Sequence, residues 1–198
     1  MTQYNIIAES QEYTVVAEYD HVTTPAEAYQ SEADLEKEFI RLLGEQGYEY
    51  LPIHTEADLI SNLRAQLEKL NHYHFTDSEW EQFFNTCIAN KNDDIVAKTQ
   101  KIQDDYIQVL KRDTGESQNI KLIDKDNIHN NTLQVINQYV EEGGNYGTRY
   151  DVTVLVNGLP LVHIELKRRG VQLKEAFNQI NRYQRDSFWA GCGLYEYV

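Results

Sequence analysis

The residues best suited to chemistry lie within one short stretch of the chain and are Asp151, Glu165 and Lys167. Two apolar runs separate the first acid from the second, and an Asn157-Gly158 turn signal lies between the runs. Carboxylate oxygens are the ligands that Mg²⁺ prefers, and a lysine beside them can offset negative charge or orient a water molecule. The types and spacing of these residues therefore predict a divalent-cation site.

A β-hairpin is the element that must position these residues. Side chains on a strand alternate between its two faces. Val152, Val154 and Val156 are therefore expected to face the core of a half-buried hairpin, while Asp151 points away. On the second strand, His163, Glu165 and Lys167 share the face opposite to Val162, Ile164 and Leu166.

The length of the hairpin loop decides whether the two acids meet. A two-residue loop places Asp151 across from Ile164, on the wrong face from Glu165. A three-residue loop over 157–159, with Gly158 in the left-handed conformation, or an equivalent bulge, places Asp151 across from Glu165 with Cβ atoms roughly 4.5–5.5 Å apart. We predict the second register. Facing carboxylates repel each other, and a cation would compensate.

The acid, the hairpin and the Glu-x-Lys sequence resemble the PD-(D/E)xK nuclease superfamily, with Asp151, Glu165 and Lys167 at its three motif positions. The usual proline before the first acid is replaced by Tyr150. The longer string over 149–170 is similar to the N-terminal nuclease domain of type I restriction endonuclease R (HsdR-type) subunits. The linked set of motifs is far more specific than Glu-x-Lys alone.

The segment over 176–183 resembles a Gln-x-x-x-Tyr motif of the same family. Gln179 and Tyr183 are four residues apart, so a helix presents both on one side. By themselves they are typical of a surface pair, but the resemblance implies that they position the substrate or the hairpin. It also implies that Arg168 and Arg169 contact the DNA backbone.

The resemblance implies a mechanism in which Asp151, Glu165 and the backbone carbonyl of Leu166 hold Mg²⁺. Lys167 would orient or help to deprotonate the attacking water. The expected function is that of a Mg²⁺-dependent DNA endonuclease domain of a type I restriction-modification system, which makes double-strand breaks without local sequence readout. The alternative is a nuclease-fold module that binds DNA or partner subunits without cutting.

The family also implies partners and further domains. Double-stranded DNA and the modification and specificity subunits are the expected partners. The chain contains no G-x-x-x-x-G-K-[ST] phosphate loop, so ATP is expected only for motor domains that are absent here. We expect 1–198 to form a single endonuclease domain that is a fragment of a larger subunit. The segment over 194–198 is expected to begin a strand. The isolated fragment is therefore expected not to cut DNA alone.

The net charge of −14 argues against a simple nucleic-acid binder, because phosphate contacts need Lys and Arg. Residues 161–198 nevertheless hold six of the 18 Lys and Arg and only four of the 32 Asp and Glu. The basic patch therefore surrounds the predicted site, and other subunits or domains would deliver the DNA. No apolar run approaches the ~20 residues of a membrane helix. Two isolated cysteines give no disulfide framework, which favours a cytoplasmic location.

Around the site we expect an α/β fold with a PD-(D/E)xK restriction-endonuclease-like core, in which helices flank a mixed β-sheet. A helical insertion is expected at about 56–103. Glu32 and Glu36 lie one turn apart on the first helix, and related nucleases place an acid from this helix near the metal, although a solvated helix face is the simpler interpretation. The segment over 133–140 fits a strand or a helix, and the resemblance favours a strand. Helices are expected at 31–43, 56–71, 77–89, 92–103 and 174–185, and strands at 12–17, 106–112 and 119–124.

Overall fold

A four-stranded mixed sheet forms the centre of the computed structural model, which describes residues 5–9, 15–18, 31–141, 148–168, 172–186 and 194. Two further pairs of strands lie outside this sheet. The strands are β1 (Asn5–Glu9), β2 (Val15–Glu18), β3 (Glu49–Tyr50), β4 (Ile107–Lys111), β5 (Ser117–Lys121), β6 (Leu133–Glu141), β7 (Thr148–Val156) and β8 (Leu159–Ile164). The helices are α1 (Glu32–Glu45), α2 (Glu56–Asn71), α3 (Asp77–Phe83), α4 (Ile95–Gln103) and α5 (Leu173–Asp186), with a π-helical turn at Phe84–Ile88 and a 3₁₀ turn at Ile128–Asn130.

The helices begin where side chains can satisfy the free backbone N–H groups of the first turn. Ser31 accepts a hydrogen bond from the backbone of Asp34 at the start of α1, as predicted. Thr55 caps α2 in the same way, and Thr76 forms a reciprocal capping box with Glu79 at α3. These local signals explain why the predicted starts of α1, α2 and α3 agree with the structure, whereas α4 begins at Ile95, three residues after its predicted start.

The central sheet has the order β3-β6-β7-β8, with β3 parallel to β6 and the other pairs antiparallel. The segment over 133–140 is a strand, as the resemblance favoured. Helix α1 covers one face of the sheet, where Leu43 packs in a cluster with Val135, Val152 and Val154. The α/β architecture with helices around a mixed sheet confirms the predicted fold class.

The predicted helical insertion consists of α2, α3, the π-helical turn and α4. On α2, Leu59, Leu63 and Leu67 recur every fourth residue and are fully buried. The expected helix over 77–89 changes to π-helical geometry at Phe84. None of the helices among the described residues is long and apolar enough to cross a membrane.

The turn of the site hairpin is buried against this insertion. Asn157 and Gly158 both have positive φ, 51° and 82°, as a tight two-residue hairpin turn requires. A Cβ atom on Gly158 would lie 2.6 Å from the Cα of Leu63. The buried Asn157 side chain accepts from the Thr132 N–H and donates to the carbonyl oxygen of Leu122. The insertion and the hairpin are therefore in direct contact.

The predicted loop length is wrong, but the predicted register is confirmed by the alternative route of a bulge. Val156 pairs with Leu159 across a two-residue loop. The register then shifts at Leu161, so that Val152 pairs with Ile164. One further step in this register places Asp151 across from residue 165, as predicted for a bulge.

The prediction that the hairpin is half-buried is wrong for β7, because both faces of this strand are covered, whereas Val162 on β8 is 47% exposed. Val152 and Val154 pack towards α1 as expected. On the other face, Leu155 and Tyr150 belong to the large cluster formed with α2 and α5. The sequence pattern could not show that helices cover both sides. Of the expected strand over 194–198, only Leu194 lies within the described residues.

Candidate functional site

The two acids meet where β7 and the end of β8 lie side by side. The backbone N–H of Leu166 donates a hydrogen bond of 2.9 Å to Asp151 Oδ2. Lys167 Nζ donates to Glu165 Oε1 at 2.5 Å. The structure therefore brings together Asp151, Glu165, Leu166 and Lys167, which the sequence predicts to act as one site.

Glu165 is the most unusual charged group in this site. Its side chain is only 1% exposed, and its Oε2 atom has no hydrogen-bond partner within the described part of the chain. Burial raises the pKa of Glu165 to about 7, helped by the neighbouring charge of Asp151 and opposed by Lys167. Near neutral pH this carboxyl group is thus poised between its protonated and ionised forms.

Lys167 is held as a cation by the surrounding acids. Burial alone would lower its pKa, but the hydrogen bond to Glu165 and the charges of Glu165, Asp151 and Glu32 outweigh burial and raise it. The ammonium group is therefore protonated at neutral pH. It can offset negative charge or donate a hydrogen bond, and it is poorly suited to accept a proton.

The chemistry of the donor set fits a hard divalent cation. Glu165 presents a buried oxygen without a hydrogen-bond partner among the described residues, and Asp151 presents a second carboxylate beside it. No group of three or more His, Cys, Asp or Glu side chains suited to a metal occurs in those residues. A cation here would accordingly need backbone oxygen, water or substrate phosphate to complete its coordination.

Gln179 and Tyr183 support the hairpin from α5. Gln179 Nε2 donates to the Tyr183 hydroxyl, which donates in turn to the carbonyl oxygen of Arg149 at 3.1 Å. Tyr183 is buried, and its ring packs edge-on against Tyr150 with centroids 5.1 Å apart. Of the two roles implied by the resemblance, these contacts favour positioning of the hairpin, two residues before Asp151.

His163 shares this face but is surrounded by aromatic rings. Its ring centroid lies 4.6 Å from that of Tyr150 and 5.8 Å from that of Tyr183. Burial lowers the pKa of His163 to about 4, so the ring is neutral at physiological pH. The contacts indicate packing, in keeping with its omission from the predicted site.

Helix α1 contributes two carboxylates near the hairpin, and they have different partners. Glu32 Oε1 accepts a 3.3 Å hydrogen bond from the backbone N–H of Arg168, beside Lys167. Glu36 accepts hydrogen bonds from Asn137 and Gln138 on β6. Glu32 is therefore the acid of α1 that lies next to the predicted motif, on its exposed side.

Two predicted DNA contacts have different standing in the structure. Arg168 follows the Glu-x-Lys motif directly and has an exposed side chain. Arg169 lies outside the described residues. The basic character of the 167–169 segment therefore rests on Lys167 and Arg168 in the structure.

Sequence reasoning missed Asn137 and Gln138, the β6 residues that bind Glu36. Gln138 has a φ of 51°, which is uncommon for a residue other than glycine. Asparagine is the residue type enriched in this conformation, so a search for a sequence signal would have selected Asn137. The amide pair carries no recognisable motif.

A mixed sheet flanked by helices, with two acids and a lysine gathered at the end of a hairpin, defines an α/β protein with a nuclease-like fold. The family model described as "Type I restriction enzyme R protein N terminus (HSDR_N)" matches residues 29–198, and the chain belongs to this family. The match contains every predicted site residue.

Named relatives agree with this assignment. The chain is 47% identical over 193 residues to the type I restriction enzyme EcoprrI endonuclease subunit of Escherichia coli, a match that covers 97% of this chain and 61% of the relative. It is 39% identical over 175 residues to the SsaAORF53P endonuclease subunit of Staphylococcus saprophyticus, which covers 86% of this chain and 18% of that relative. The chain therefore spans only part of the length of these relatives.

Proposed function

We propose that this chain is the Mg²⁺-dependent endonuclease domain of a type I restriction enzyme, and that it hydrolyses DNA phosphodiester bonds to make double-strand breaks without local sequence readout. The observation that carries the proposal is the buried Glu165 carboxylate. One of its oxygens pairs with Lys167, and the other has no hydrogen-bond partner among the described residues. The carboxylate lies next to that of Asp151. The names of the relatives, all endonuclease subunits, support the same activity.

Asp151, Glu165 and the backbone carbonyl of Leu166 are the groups that would hold the cation. When bound, Mg²⁺ supplies Lewis-acid polarisation of the phosphodiester and offsets its negative charge. Asp151 is already fixed by the Leu166 N–H, and Glu165 is fixed by Lys167. Metal ligands that are already held in place need little rearrangement when the substrate arrives.

Lys167 would act as a positive charge and a hydrogen-bond donor. Because its pKa is raised, the ammonium group retains its proton at neutral pH. It can orient the attacking water and stabilise the charge that develops on the phosphate. The other function that the sequence allows, removal of a proton from water, is disfavoured by this environment.

The surroundings of the site divide into DNA contacts and supports. Arg168 and Arg169 would contact the DNA backbone next to the reacting bond. Gln179 and Tyr183 would position the hairpin rather than the substrate, since their hydrogen bonds end on the Arg149 carbonyl.

The acidic body of the chain limits its own affinity for DNA. We therefore propose that modification and specificity subunits select the DNA, and that ATP-driven motor domains of a longer subunit deliver it. This division of labour explains how a domain with a net charge of −14 could cut DNA.

The first experiment is a Mg²⁺ and Mn²⁺ titration by calorimetry on the wild-type chain and on Asp151→Ala and Glu165→Ala. Saturable binding that both substitutions abolish is the expected result. Glu81→Ala is the matched control, because Glu81 is an exposed carboxylate on α3, outside the site. Any cleavage of plasmid DNA should be measured alongside, and it should depend on the same two residues.

Metal binding that persists in both site variants would contradict the proposed site. The alternative function, a nuclease-fold module that binds without cutting, predicts DNA or subunit binding that is indifferent to metal and to Glu165→Ala. The two functions are therefore separated by one pair of variants.

A further inference from the structure

Gln138 adopts a backbone conformation that a strand normally excludes. Its φ of 51° lies in the left-handed region, although Gln138 is inside β6 and is not a glycine. The residues on either side remain paired with β7, Asn137 with Val152 and Tyr139 with Tyr150. Gln138 consequently lies across from Asp151.

The side chains of Asn137 and Gln138 both reach the same carboxylate on α1. Asn137 Nδ2 donates to Glu36 Oε1 at 2.5 Å, and Gln138 Nε2 donates to Glu36 Oε2. Consecutive residues of a regular strand point to opposite faces of the sheet. The left-handed residue is what allows both amides to reach Glu36.

The alternation of side chains breaks on both strands at this point. On β6, Ile136 and Tyr139 lie in the same core cluster, although they are an odd number of positions apart and a regular strand would place them on opposite faces. On β7, Tyr150 lies in that cluster while Val152 packs against α1, although regular residues two apart share a face. Asp151 is therefore the residue at which the alternation of side chains between the two faces of β7 is reversed.

We infer that Gln138, anchored by Glu36, is a positioning residue for the nuclease site. Its left-handed backbone reverses the side-chain alternation of β6 and β7 at Asp151, and this reversal directs the Asp151 carboxylate to the Leu166 N–H. The catalytic consequence rests on the proposed function. The positioning concerns only Asp151 and Leu166, and it can be tested without metal or DNA.

Three substitutions at position 138 separate the backbone from the side chain. Glycine enters the left-handed region freely, alanine less readily, and the β-branched valine least of all. In metal-free ¹⁵N-labelled protein, we expect Gln138→Gly to retain the chemical shift and exchange protection of the Leu166 amide. Gln138→Ala should change them part of the way, and Gln138→Val should bring them to the values of Asp151→Ala.

Mg²⁺ affinity should fall in the same order, with a loss of roughly tenfold or more for Gln138→Val, as for other residues that orient metal ligands. Gln118→Val is the matched control, because it makes the same exchange on β5 at a position with ordinary strand geometry. A role confined to side-chain hydrogen bonds predicts the opposite order, with glycine at least as damaging as valine. That order, or an unchanged Leu166 amide in Gln138→Val, would overturn the inference.

Glu36→Gln tests the anchor if Gln138→Val does not fold. The amide keeps the shape of the side chain but offers one acceptor oxygen in place of two. A partial change at the Leu166 amide is expected, and no change would overturn the anchoring role. If the wild-type chain binds no Mg²⁺ either alone or with duplex DNA present, the proposed function fails, while the Leu166 comparison still decides the positioning.

Discussion

Two buried glutamates, Glu79 in the helical insertion and Glu165 in the hairpin, show opposite responses to burial. Glu79 is 3% exposed, and its carboxylate accepts hydrogen bonds from Tyr73 Oη, Thr76 N and Asp113 N at 2.8, 3.0 and 3.1 Å. Burial alone would raise its pKa, but these hydrogen bonds outweigh burial and lower it. Glu165 accepts a hydrogen bond from Lys167 and lies beside the charge of Asp151, and burial raises its pKa to about 7.

The difference shows how structure can separate a supporting acid from a reactive one. Where a buried carboxylate accepts hydrogen bonds on both oxygens, those bonds stabilise its ionised form and connect it to the neighbouring elements. A buried carboxylate with one oxygen that accepts no hydrogen bond can still bind a cation through that oxygen. Exposure alone would have placed Glu79 and Glu165 in the same class.

The largest expected effect is on metal binding. Glu165→Ala should abolish Mg²⁺ binding and lower any DNA cleavage by more than about 100-fold, the upper range for residues that only orient metal ligands. Glu79→Ala should leave Mg²⁺ affinity unchanged, as measured by calorimetry under conditions in which both variants are folded. Equal losses of affinity in the two variants would remove the distinction between these acids.

The free energy of unfolding should rank these two substitutions in the opposite order, with the larger loss for Glu79→Ala. Glu79→Ala leaves three donors without their acceptor and should lower the free energy of unfolding by about 4 kcal/mol. Urea denaturation of the metal-free protein measures this change. Glu165→Ala serves as the comparison, since it leaves only Lys167 without its partner, and we expect the smaller loss there.

Gly158→Ala tests the contact between the two regions. The new Cβ would lie 2.6 Å from Leu63 Cα, and φ is +82°, so the substitution adds both overlap and backbone strain. We expect a loss of about 3 kcal/mol in the free energy of unfolding. Gly115→Ala, at a turn with φ of +86° and open space around it, isolates the backbone contribution and should cost less. Equal losses would show that the Leu63 contact is unimportant.

The smallest expected effect is a pH dependence that comes from Glu165. Its pKa is raised in the folded state, so the folded chain keeps a proton that the unfolded chain releases between about 4.5 and about 7. Stability from this group is therefore present below pH 4.5 and is lost as the pH rises through 7.

Urea denaturation at several pH values should show this decline in the wild-type chain and not in Glu165→Gln. Mg²⁺ affinity should rise over the same pH range, because the cation competes with the proton. A decline of equal size in Glu165→Gln would assign the effect to another group.

Local and pairwise features of this chain were predictable from its sequence. Ser31 and the leucine spacing of the insertion specify their helices through short-range signals, and Asp151, Glu165 and Lys167 follow from strand alternation. The bulge at Leu161 was foreseen only as an alternative, since loop length and bulge give the same register. The burial of Glu165 and the left-handed Gln138 depend on helices packed from distant parts of the chain, and no local pattern encodes them.

The contact between Leu63 and Gly158 also has a consequence for the order of synthesis and folding. An Asn-Gly hairpin can usually close on its own within microseconds. Here the turn fits against a helix that lies 95 residues earlier in the chain, so the hairpin reaches its final stability only when that helix is in place. Because translation proceeds from the N-terminus, α2 leaves the ribosome first and is available as a template when the hairpin emerges.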